Sequence, residues 1–263
     1  MPAPCARSAG CSARAMLELH SLSKHFGGVR AVDDLSLTVD QGEIFGLIGP
    51  NGSGKSTTVN LICGVFPTTS GAVVFEGRDI TDAPSHRVVA AGIGRTFQNI
   101  RLFGDLTVWQ NLWVAQNSVE ERETGWFARW LGGQRRGRDY AGELLKFAGL
   151  ADRADELARN LAFGEQRRLE MARALAARPK LLLLDEPAAG MNAEEVGQLA
   201  TRIRALREHG MTILLVEHVM ELVMGVTDRI AVLNFGQKIA EGAPAEIRSD
   251  PAVRTAYLGT ADA

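Results

Sequence analysis

Residues 49–56 read Gly49-Pro50-Asn51-Gly52-Ser53-Gly54-Lys55-Ser56, a complete G-x-x-x-x-G-K-[ST] loop. The apolar run 44–48 ahead of it predicts a buried strand, and Thr57 to Ile62 predict the start of a helix. Glycines let the backbone turn tightly and aim successive N–H groups at phosphates, and the helix dipole also favours anions. The stretch therefore predicts a nucleoside triphosphate site with these binding residues: Gly49, Pro50, Asn51, Gly52, Ser53, Gly54, Lys55, Ser56 and Thr57.

Two side chains of this phosphate loop (residues 49–56) have separate predicted roles. We expect the Lys55 ammonium to reach the β- and γ-phosphates, and the Ser56 hydroxyl to ligate Mg²⁺. A chance glycine-rich turn before an ordinary helix is the alternative, and the strand–loop–helix context argues against it.

A second part of the site lies far downstream, where the run Leu181-Leu182-Leu183-Leu184 ends in Asp185-Glu186. Four successive leucines predict a strand buried on both faces of a parallel sheet, with the acids at its carboxyl end. We expect Asp185 to hold the Mg²⁺ shell and Glu186 to polarise the water that attacks the γ-phosphate. An isolated Asp-Glu pair is more often a solvated strand end. Together with the phosphate loop at Lys55, however, the pair is better interpreted as part of the nucleotide site.

Further features stand at the ends of predicted elements: Gln98 in Arg95-Thr96-Phe97-Gln98, His218 after a strand over 212–216, and a turn over 161–165 before a helix from Arg167 to Ala177. In this order and spacing the chain resembles the nucleotide-binding subunit of an ABC transporter, over about residues 17–259. The resemblance implies that Gln98 contacts Mg²⁺ and the attacking water, and that His218 contacts the γ-phosphate. It also implies that a signature turn binds the γ-phosphate of a partner subunit's ATP: Leu161, Ala162, Phe163, Gly164 and Glu165.

The signature turn (residues 161–165) departs from the Leu-Ser-Gly-Gly-Gln pattern of the family. Ala162 replaces Ser, Phe163 replaces the first Gly and Glu165 replaces Gln. The Ser hydroxyl contact is therefore absent, while backbone N–H groups at the helix N-terminus remain as phosphate donors. Asn192 stands where many members have Asp, which leaves the strength of coupling between subunits open.

An antiparallel layer is predicted near the N-terminus, because Leu17 and Leu19, and then Leu35, Leu37 and Val39, alternate at period two. Phe26 lies in this layer, before the turn at Gly27-Gly28. By resemblance an aromatic residue here stacks on adenine; a core aromatic is the alternative.

The alternation of strands and helices predicts an α/β fold, a P-loop core with a parallel sheet, the antiparallel layer and an inserted helical subdomain. We expect the core over residues 16–98 and 179–263 and the helical subdomain, with the signature turn, over 99–178. A helix from Glu194 to His209 is predicted to stop at Gly210. Residues 1–15 predict a disordered tail; a lipoprotein cleavage box or a transit peptide is the weaker reading, because no apolar core precedes Cys11.

Composition narrows the function. A net charge of −2 and a pI near 6.2 argue against dedicated nucleic-acid binding. No apolar run approaches the ~18–20 residues that cross a bilayer, so any transport passes through partner subunits. The cysteines Cys5, Cys11 and Cys63 lack metal-binding spacing and indicate reduced thiols. The aromatic and basic segment from Trp126 to Arg138 favours a helical hairpin over a membrane or nucleic-acid patch, because glycines interrupt it.

Several strings, among them Gly94 to Phe103, Leu161 to Glu170 and the ending Ala256 to Gly259, resemble the larger ATPase subunit of bacterial high-affinity branched-chain amino-acid importers. That branch implies ATP and Mg²⁺ as ligands, a sister ATPase in a hetero- or homodimer, two membrane permeases and a periplasmic or extracellular substrate-binding protein. It places the chain at the cytoplasmic face of the membrane, with a permease helix docked at Asn99 to Phe103. Urea or short-amide importers, lipopolysaccharide exporters and soluble ABC ATPases of ribosomes or DNA are the alternatives.

Overall fold

The computed structural model describes residues 14–98, 100–123 and 134–258; the side chains of 117–123, 134–138 and 258 lie outside that description. Its strands, in chain order, are β1 (Ala15–Phe26), β2 (Val29–Asp40), β3 (Ile44–Ile48), β4 (Ser70–Phe75), β5 (Arg78–Asp79), β6 (Ile93–Arg95), β7 (Leu181–Asp185), β8 (Thr212–Val216), β9 (Arg229–Asn234) and β10 (Gln237–Gly242). Its helices are α1 (Lys55–Ile62), α2 (Ser85–Ala91), α3 (Val108–Glu123), α4 (Gln134–Ala148), α5 (Phe163–Ala176), α6 (Ala193–Glu208), α7 (Met220–Val226), α8 (Pro244–Ser249) and α9 (Pro251–Leu258).

A six-stranded sheet in the order β10-β9-β3-β8-β7-β6 forms the centre of the molecule. Its strands pair in parallel, except β10, which pairs antiparallel with β9 at one edge. Every residue of β3, β7 and β8 is buried, as expected for strands covered on both faces. Alternate leucines of β7 face opposite sides: Leu182 and Leu184 pack with the helices, and Leu181 and Leu183 pack toward the antiparallel layer.

The antiparallel layer is a separate four-stranded sheet in the order β2-β1-β4-β5. Leu17 pairs with Val39 and Leu19 with Leu37, and all four are buried. The residues that alternate at period two in the sequence therefore form the buried face of this sheet. Its apolar side packs on Phe45 and Leu47 of β3. The predicted fold class, a P-loop α/β core with an added antiparallel layer, is confirmed.

Between β6 and β7 the described residues form α3, α4, α5 and two short 3₁₀ turns. Their apolar faces meet in one cluster with the outer face of the central sheet, including Leu112, Leu145 and Leu169. The hydroxyl of Tyr140 on α4 donates to the Leu175 carbonyl on α5 at 3.0 Å. Most of the segment from Trp126 to Arg138 lies outside the described residues, so the prediction made for it stays open.

Some element boundaries differ from those predicted. Helix α5 begins at Phe163, four residues before Arg167, and the Glu165 carboxylate reaches back to accept the N–H of the N-cap residue Ala162 at 3.0 Å. Helix α1 begins at Lys55, and β1 begins at Ala15. No helix among the described residues is both long and apolar enough to cross a membrane.

Candidate functional site

The phosphate loop leaves β3 at Ile48 and enters α1 at Lys55. Gly49 must be glycine, since a Cβ there would lie 2.2 Å from the Leu233 carbonyl oxygen. Gly54 has φ 104° and no room either, because a Cβ would lie 2.4 Å from the Ala31 carbonyl oxygen. The backbone therefore follows a path that a side chain at either position would block.

Lys55 is buried within this loop. Its Nζ donates to the carbonyl oxygens of Gly49, at 2.7 Å, and Pro50, at 2.9 Å. Burial lowers the pKa of Lys55, and the carboxylates of Glu186 and Asp185 act in the opposite direction. The predicted lysine and the two predicted acids, 130 and more residues apart in sequence, thus share one electrostatic environment.

Asp185 ends β7 and is buried. Its Oδ2 accepts from Arg95 Nη2 at 2.8 Å, and Arg95 Nη1 donates to Asn60 Oδ1 on α1 at 2.7 Å. Arg95 therefore links the acid of β7 to the helix that follows the phosphate loop. In the sequence, its place three residues before Gln98 was the only signal of this role.

The three predicted catalytic side chains meet in the structure. Gln98 Nε2 donates to Glu186 Oε2 at 2.9 Å, and His218 Nδ1 lies 3.9 Å from the same oxygen. Glu186 adopts a left-handed backbone conformation, φ 47°, and its N–H donates to the Val216 carbonyl at 2.8 Å. Its side chain is half-buried, whereas Gln98 and His218 are exposed. The arrangement presents one carboxylate between an amide and an imidazole.

The residues present fit a magnesium nucleotide. Ser56, Asp185 and Gln98 offer the hard oxygen donors that Mg²⁺ prefers. Ser53 Oγ, inside the phosphate loop, is buried with no hydrogen-bond partner among the described residues, and such a hydroxyl suits a phosphate oxygen. Among the described residues no cluster of three or more His, Cys, Asp or Glu side chains suits a metal ion.

Glu217 is a residue that the sequence analysis missed. It is fully buried, and its Oε1 accepts the Ala188 N–H at 2.7 Å. Its Oε2 accepts the N–H groups of His218, at 2.9 Å, and Val219, at 3.2 Å. One carboxylate thus joins the segment after Glu186 to the segment that carries His218. Its position just before a predicted catalytic histidine was the only sequence signal.

Two buried residues of α5 hold the backbone around Gln98. Arg167 donates to the carbonyl oxygens of Phe97, at 3.0 Å, and Gln98, at 2.6 Å. Glu170 Oε1 accepts the N–H groups of Phe97, at 3.3 Å, and Arg101, at 3.4 Å. Burial raises the pKa of Glu170, against the lowering effect of the Phe97 N–H and the Arg167 charge. The helix that starts at the signature turn therefore also fixes the position of Gln98.

The signature turn stands at the N-terminus of α5, with Ala162 and Phe163 exposed. Leu161 is buried in the core, and its carbonyl accepts from Gln166 Nε2 at 2.9 Å. The Phe163 ring packs beside Gly190, where a Cβ would lie 3.2 Å from Phe163 Cε1. Glu165 is occupied within the subunit, accepting the Ala162 N–H and lying 3.3 Å from Arg153 Nε. The turn offers an exposed aromatic ring at the N-terminus of a helix.

Asn192, which departs from the family pattern, caps α6. Its side-chain oxygen accepts the Glu195 N–H at 3.0 Å, and Glu195 Oε2 accepts the Asn192 N–H at 2.9 Å. Asn and Asp serve equally well at this helix position. The substitution therefore preserves the local structure of the segment after Glu186.

Phe26 lies at the end of β1 and is 45 % exposed. The edge of its ring meets Phe66, with centroids 5.5 Å apart, and Lys24 Nζ lies 5.1 Å from its centroid. The side chain is therefore outside the core. The alternative interpretation, in which Phe26 is a core aromatic residue, required it to be buried. Its adenine contact stays a prediction.

Taken together, a strand–loop–helix phosphate cradle, a carboxylate pair at the end of the neighbouring buried strand and a converging glutamine and histidine define a P-loop nucleotide-binding ATPase. Residues 32–189 match the ABC transporter family, and the chain belongs to that family. Residues 237–263 match a second family model, described as branched-chain amino acid ATP-binding cassette transporter.

Curated relatives and solved structures agree with this assignment. The high-affinity branched-chain amino acid transport ATP-binding protein LivG of Salmonella typhimurium is 44% identical over 253 residues, covering 94% of this chain and 98% of LivG. Its counterpart BraF of Pseudomonas aeruginosa is 41% identical, with 94% and 99% covered. The lipopolysaccharide export system ATP-binding protein LptB of Escherichia coli is 37% identical, with 93% and 98% covered. A crystal structure of an ATP-binding cassette of an ABC transporter in its ADP conformation superposes with a TM-score of 0.82 at 32% identity, covering 93% of this chain and 99% of the other.

Glu217→Gln tests the link between the two segments. Both oxygens of the Glu217 carboxylate accept backbone N–H groups, whereas a glutamine side chain has only one acceptor oxygen. Its NH₂ group would therefore face a backbone N–H in a fully buried site, which lowers the free energy of unfolding by about 1–3 kcal/mol. We expect a lower melting temperature and a loss of ATP turnover. Phosphate release and thermal melts measure the two effects.

Glu43→Gln is the matched control for Glu217→Gln. Glu43 is also a buried carboxylate, and it accepts the Asp40 N–H at 2.6 Å away from the site. The Glu43→Gln substitution should lower the melting temperature and leave ATP turnover of the folded protein intact. Equal turnover losses in both variants would contradict a specific role for Glu217.

Phe26→Ala tests adenine stacking. Removing the ring should weaken ATP binding by about 1–3 kcal/mol, the range found for base–aromatic stacking. Because the side chain is half exposed, the melting temperature should change little. Phe26→Tyr keeps the ring and should retain affinity. A lower melting temperature with unchanged affinity would instead assign Phe26 to packing.

Proposed function

We propose that this chain is the ATP-hydrolysing subunit of a membrane importer for branched-chain amino acids. The observation that carries the hydrolytic part is the contact of Gln98 with Glu186 beside His218, at the edge of the sheet where the phosphate loop begins. Support for the substrate class comes from the match of residues 237–263 and from the relatives LivG and BraF.

The site residues divide the chemistry as follows. The loop N–H groups and Lys55 hold the phosphates. Ser56, Asp185 and Gln98 would hold Mg²⁺, which would supply positive charge against the negative charge that develops on the phosphates. Glu186 accepts a proton from the attacking water. The hydrogen bond from Gln98 Nε2 fixes the orientation of the Glu186 carboxylate for this step. His218 contacts the γ-phosphate from the side away from Gln98 and the metal.

The proposal includes a second ATPase subunit. One chain carries one phosphate loop and one signature turn, at Gly164, and family resemblance pairs each loop with the turn of a partner. Exposed Phe163 at the N-terminus of α5 suits such a surface. A lone chain should therefore hydrolyse ATP slowly, whether the natural partner is a sister subunit or a second copy.

We place the docking site of a permease helix at residues 99–103. Asn99 lies outside the described residues, but Arg101 and Phe103 are exposed and border the loop that carries Gln98. The Arg101 guanidinium stacks on Phe97, with its Cζ 4.4 Å from the ring centroid. A partner that displaced Arg101 would act on Gln98 through Phe97.

Permeases bring the chain to the cytoplasmic face of the membrane, and an external binding protein supplies the substrate.

LptB makes a lipopolysaccharide exporter the second candidate, because it is 37% identical over 250 residues. Reconstitution with the permeases encoded nearest to this gene separates the two functions. ATP-dependent leucine uptake supports the importer; ATPase stimulation by lipopolysaccharide, without leucine uptake, supports the exporter.

Glu186→Gln and Lys55→Ala test the hydrolytic chemistry. Glu186→Gln removes the base and keeps the shape, so ATP should still bind while turnover falls at least ~10²-fold. Lys55→Ala removes a charge-assisted contact with the phosphates and should weaken binding itself. Nucleotide affinity and steady-state phosphate release distinguish the two. Near-normal turnover in Glu186→Gln would remove Glu186 from the proposed role.

Arg101→Glu tests permease docking. A reversed charge should reduce uptake and partner-stimulated ATPase, while ATP binding to the isolated chain stays unchanged, as expected when two sites are coupled. Arg78→Glu makes the same charge change on exposed β5 and should have no effect. Unchanged uptake and stimulation with Arg101→Glu would refute docking at this residue.

A further inference from the structure

Arg95, the last residue of β6, is held by three side chains around the nucleotide site. Its Nη2 donates to Asp185 Oδ2 at 2.8 Å, and its Nη1 donates to Asn60 Oδ1 at 2.7 Å. Its Cζ lies 4.9 Å from the centroid of the Phe97 ring. The Arg95 side chain is 11 % exposed and that of Asp185 is 4 % exposed, so little water competes for these contacts. The planar guanidinium therefore has one fixed orientation.

The carboxylate of Asp185 is oriented by this guanidinium. The hydrogen bond from Arg95 occupies Oδ2, and no donor among the described residues bonds Oδ1. A carboxylate that binds a metal is usually held in position by such a bond to its other oxygen. Asp185 thus keeps Oδ1 for a magnesium shell.

Asn60 connects the same guanidinium to the helix that carries Ser56. Ser56 and Asn60 are four residues apart on α1, and residues at this spacing lie on one face of a helix. Gln98, the third expected donor to Mg²⁺, follows Arg95 by three residues. Arg95 is therefore bonded to one expected metal ligand and is close to the other two, through one helical turn and through three residues of chain.

We propose that Arg95 is a positioning residue of the magnesium site: its guanidinium sets the separation between the Asp185 carboxylate and the Ser56 hydroxyl. The inference rests on the proposed function, because it takes these two side chains as ligands of the Mg²⁺ that accompanies ATP. Arg95 is not expected to touch the nucleotide. The property that it controls is the magnesium dependence of nucleotide binding, not nucleotide binding as such.

Arg95→Lys tests this role. The lysine keeps the positive charge, but its single nitrogen lacks the planar fork that holds two partners at once. The measurement is the affinity of the full chain for a non-hydrolysable ATP analogue, by calorimetry, in Mg²⁺ and in EDTA. The ratio of the two affinities reports how much more tightly the bound analogue holds Mg²⁺ than the free analogue does. We expect this ratio to fall about tenfold, as when a group that orients a metal ligand is lost. The affinity in EDTA should not change.

Asn60→Leu is a second variant, which decides the question where Arg95→Lys folds poorly. It removes one partner of Arg95 and leaves the expected metal ligands in place. The magnesium ratio should fall in the same direction, by less than in Arg95→Lys.

Arg207→Lys is the matched control. Arg207 also pairs with a carboxylate, that of Asp228, whose second oxygen accepts the Ile44 N–H at 2.9 Å. Ile44 begins β3, at the opposite end of the strand from the phosphate loop. Arg207→Lys should lower the melting temperature at most and keep the full magnesium ratio.

The outcomes separate this inference from the proposed function. Failure of the unmodified protein to bind the analogue with Mg²⁺ contradicts the proposed function. Binding that Mg²⁺ does not strengthen in the unmodified protein overturns the inference, and so does a full ratio in the folded Arg95 and Asn60 variants. A higher ratio in Arg95→Lys also overturns it, because the guanidinium would then compete with the metal. An equal fall in Arg207→Lys would assign the effect to general stability.

Discussion

The parallel register of β3, β8 and β7 is the constraint on which the rest of the site depends. Leu47 and Asp185 both pair with Val216, so the carboxyl ends of the three strands finish at one level. The loops that follow carry the phosphate cradle, the acid pair and His218. Because side chains alternate along a strand, a slip of one residue in β7 would exchange the faces of its leucines and displace Asp185. Burial of both faces of β7 makes such a slip costly.

Much of this arrangement was predictable because it depends on local sequence. The bounds of β3 and β8 match the predicted strands, since short apolar runs ended by glycine or acids leave little freedom. The roles of Arg167, Glu170 and Glu217 were not predictable. Each is a charged residue that bonds the backbone of a segment distant in sequence, 69 or 70 residues away for Arg167 and 29 for the bond between Glu217 and Ala188. A solvated surface is the ordinary expectation for such side chains, and only the tertiary fold removes them from water.

Helix α5 joins two parts of the site that are usually described separately. Its first turn carries the exposed signature residues, and one turn later Arg167 and Glu170 hold the backbone on both sides of Gln98. A buried ion pair between Arg167 Nη1 and Glu170 Oε2, 3.5 Å apart, keeps these two side chains in one orientation. Any tilt of α5 against the central sheet must therefore move Gln98 relative to Glu186. This rigid connection gives a physical route from the exposed signature turn to the contact between Gln98 and Glu186.

The backbone of Glu186 has a consequence for how this protein tolerates mutation. A non-glycine residue at φ 47° costs about 1–2 kcal/mol compared with glycine, which adopts this conformation freely. Replacing Glu186 with glycine would relieve that strain and delete the proposed catalytic base. Stability and activity thus make opposite demands on one position, a trade-off common at functional sites. A screen that selected variants for folding or yield alone would enrich inactive proteins here.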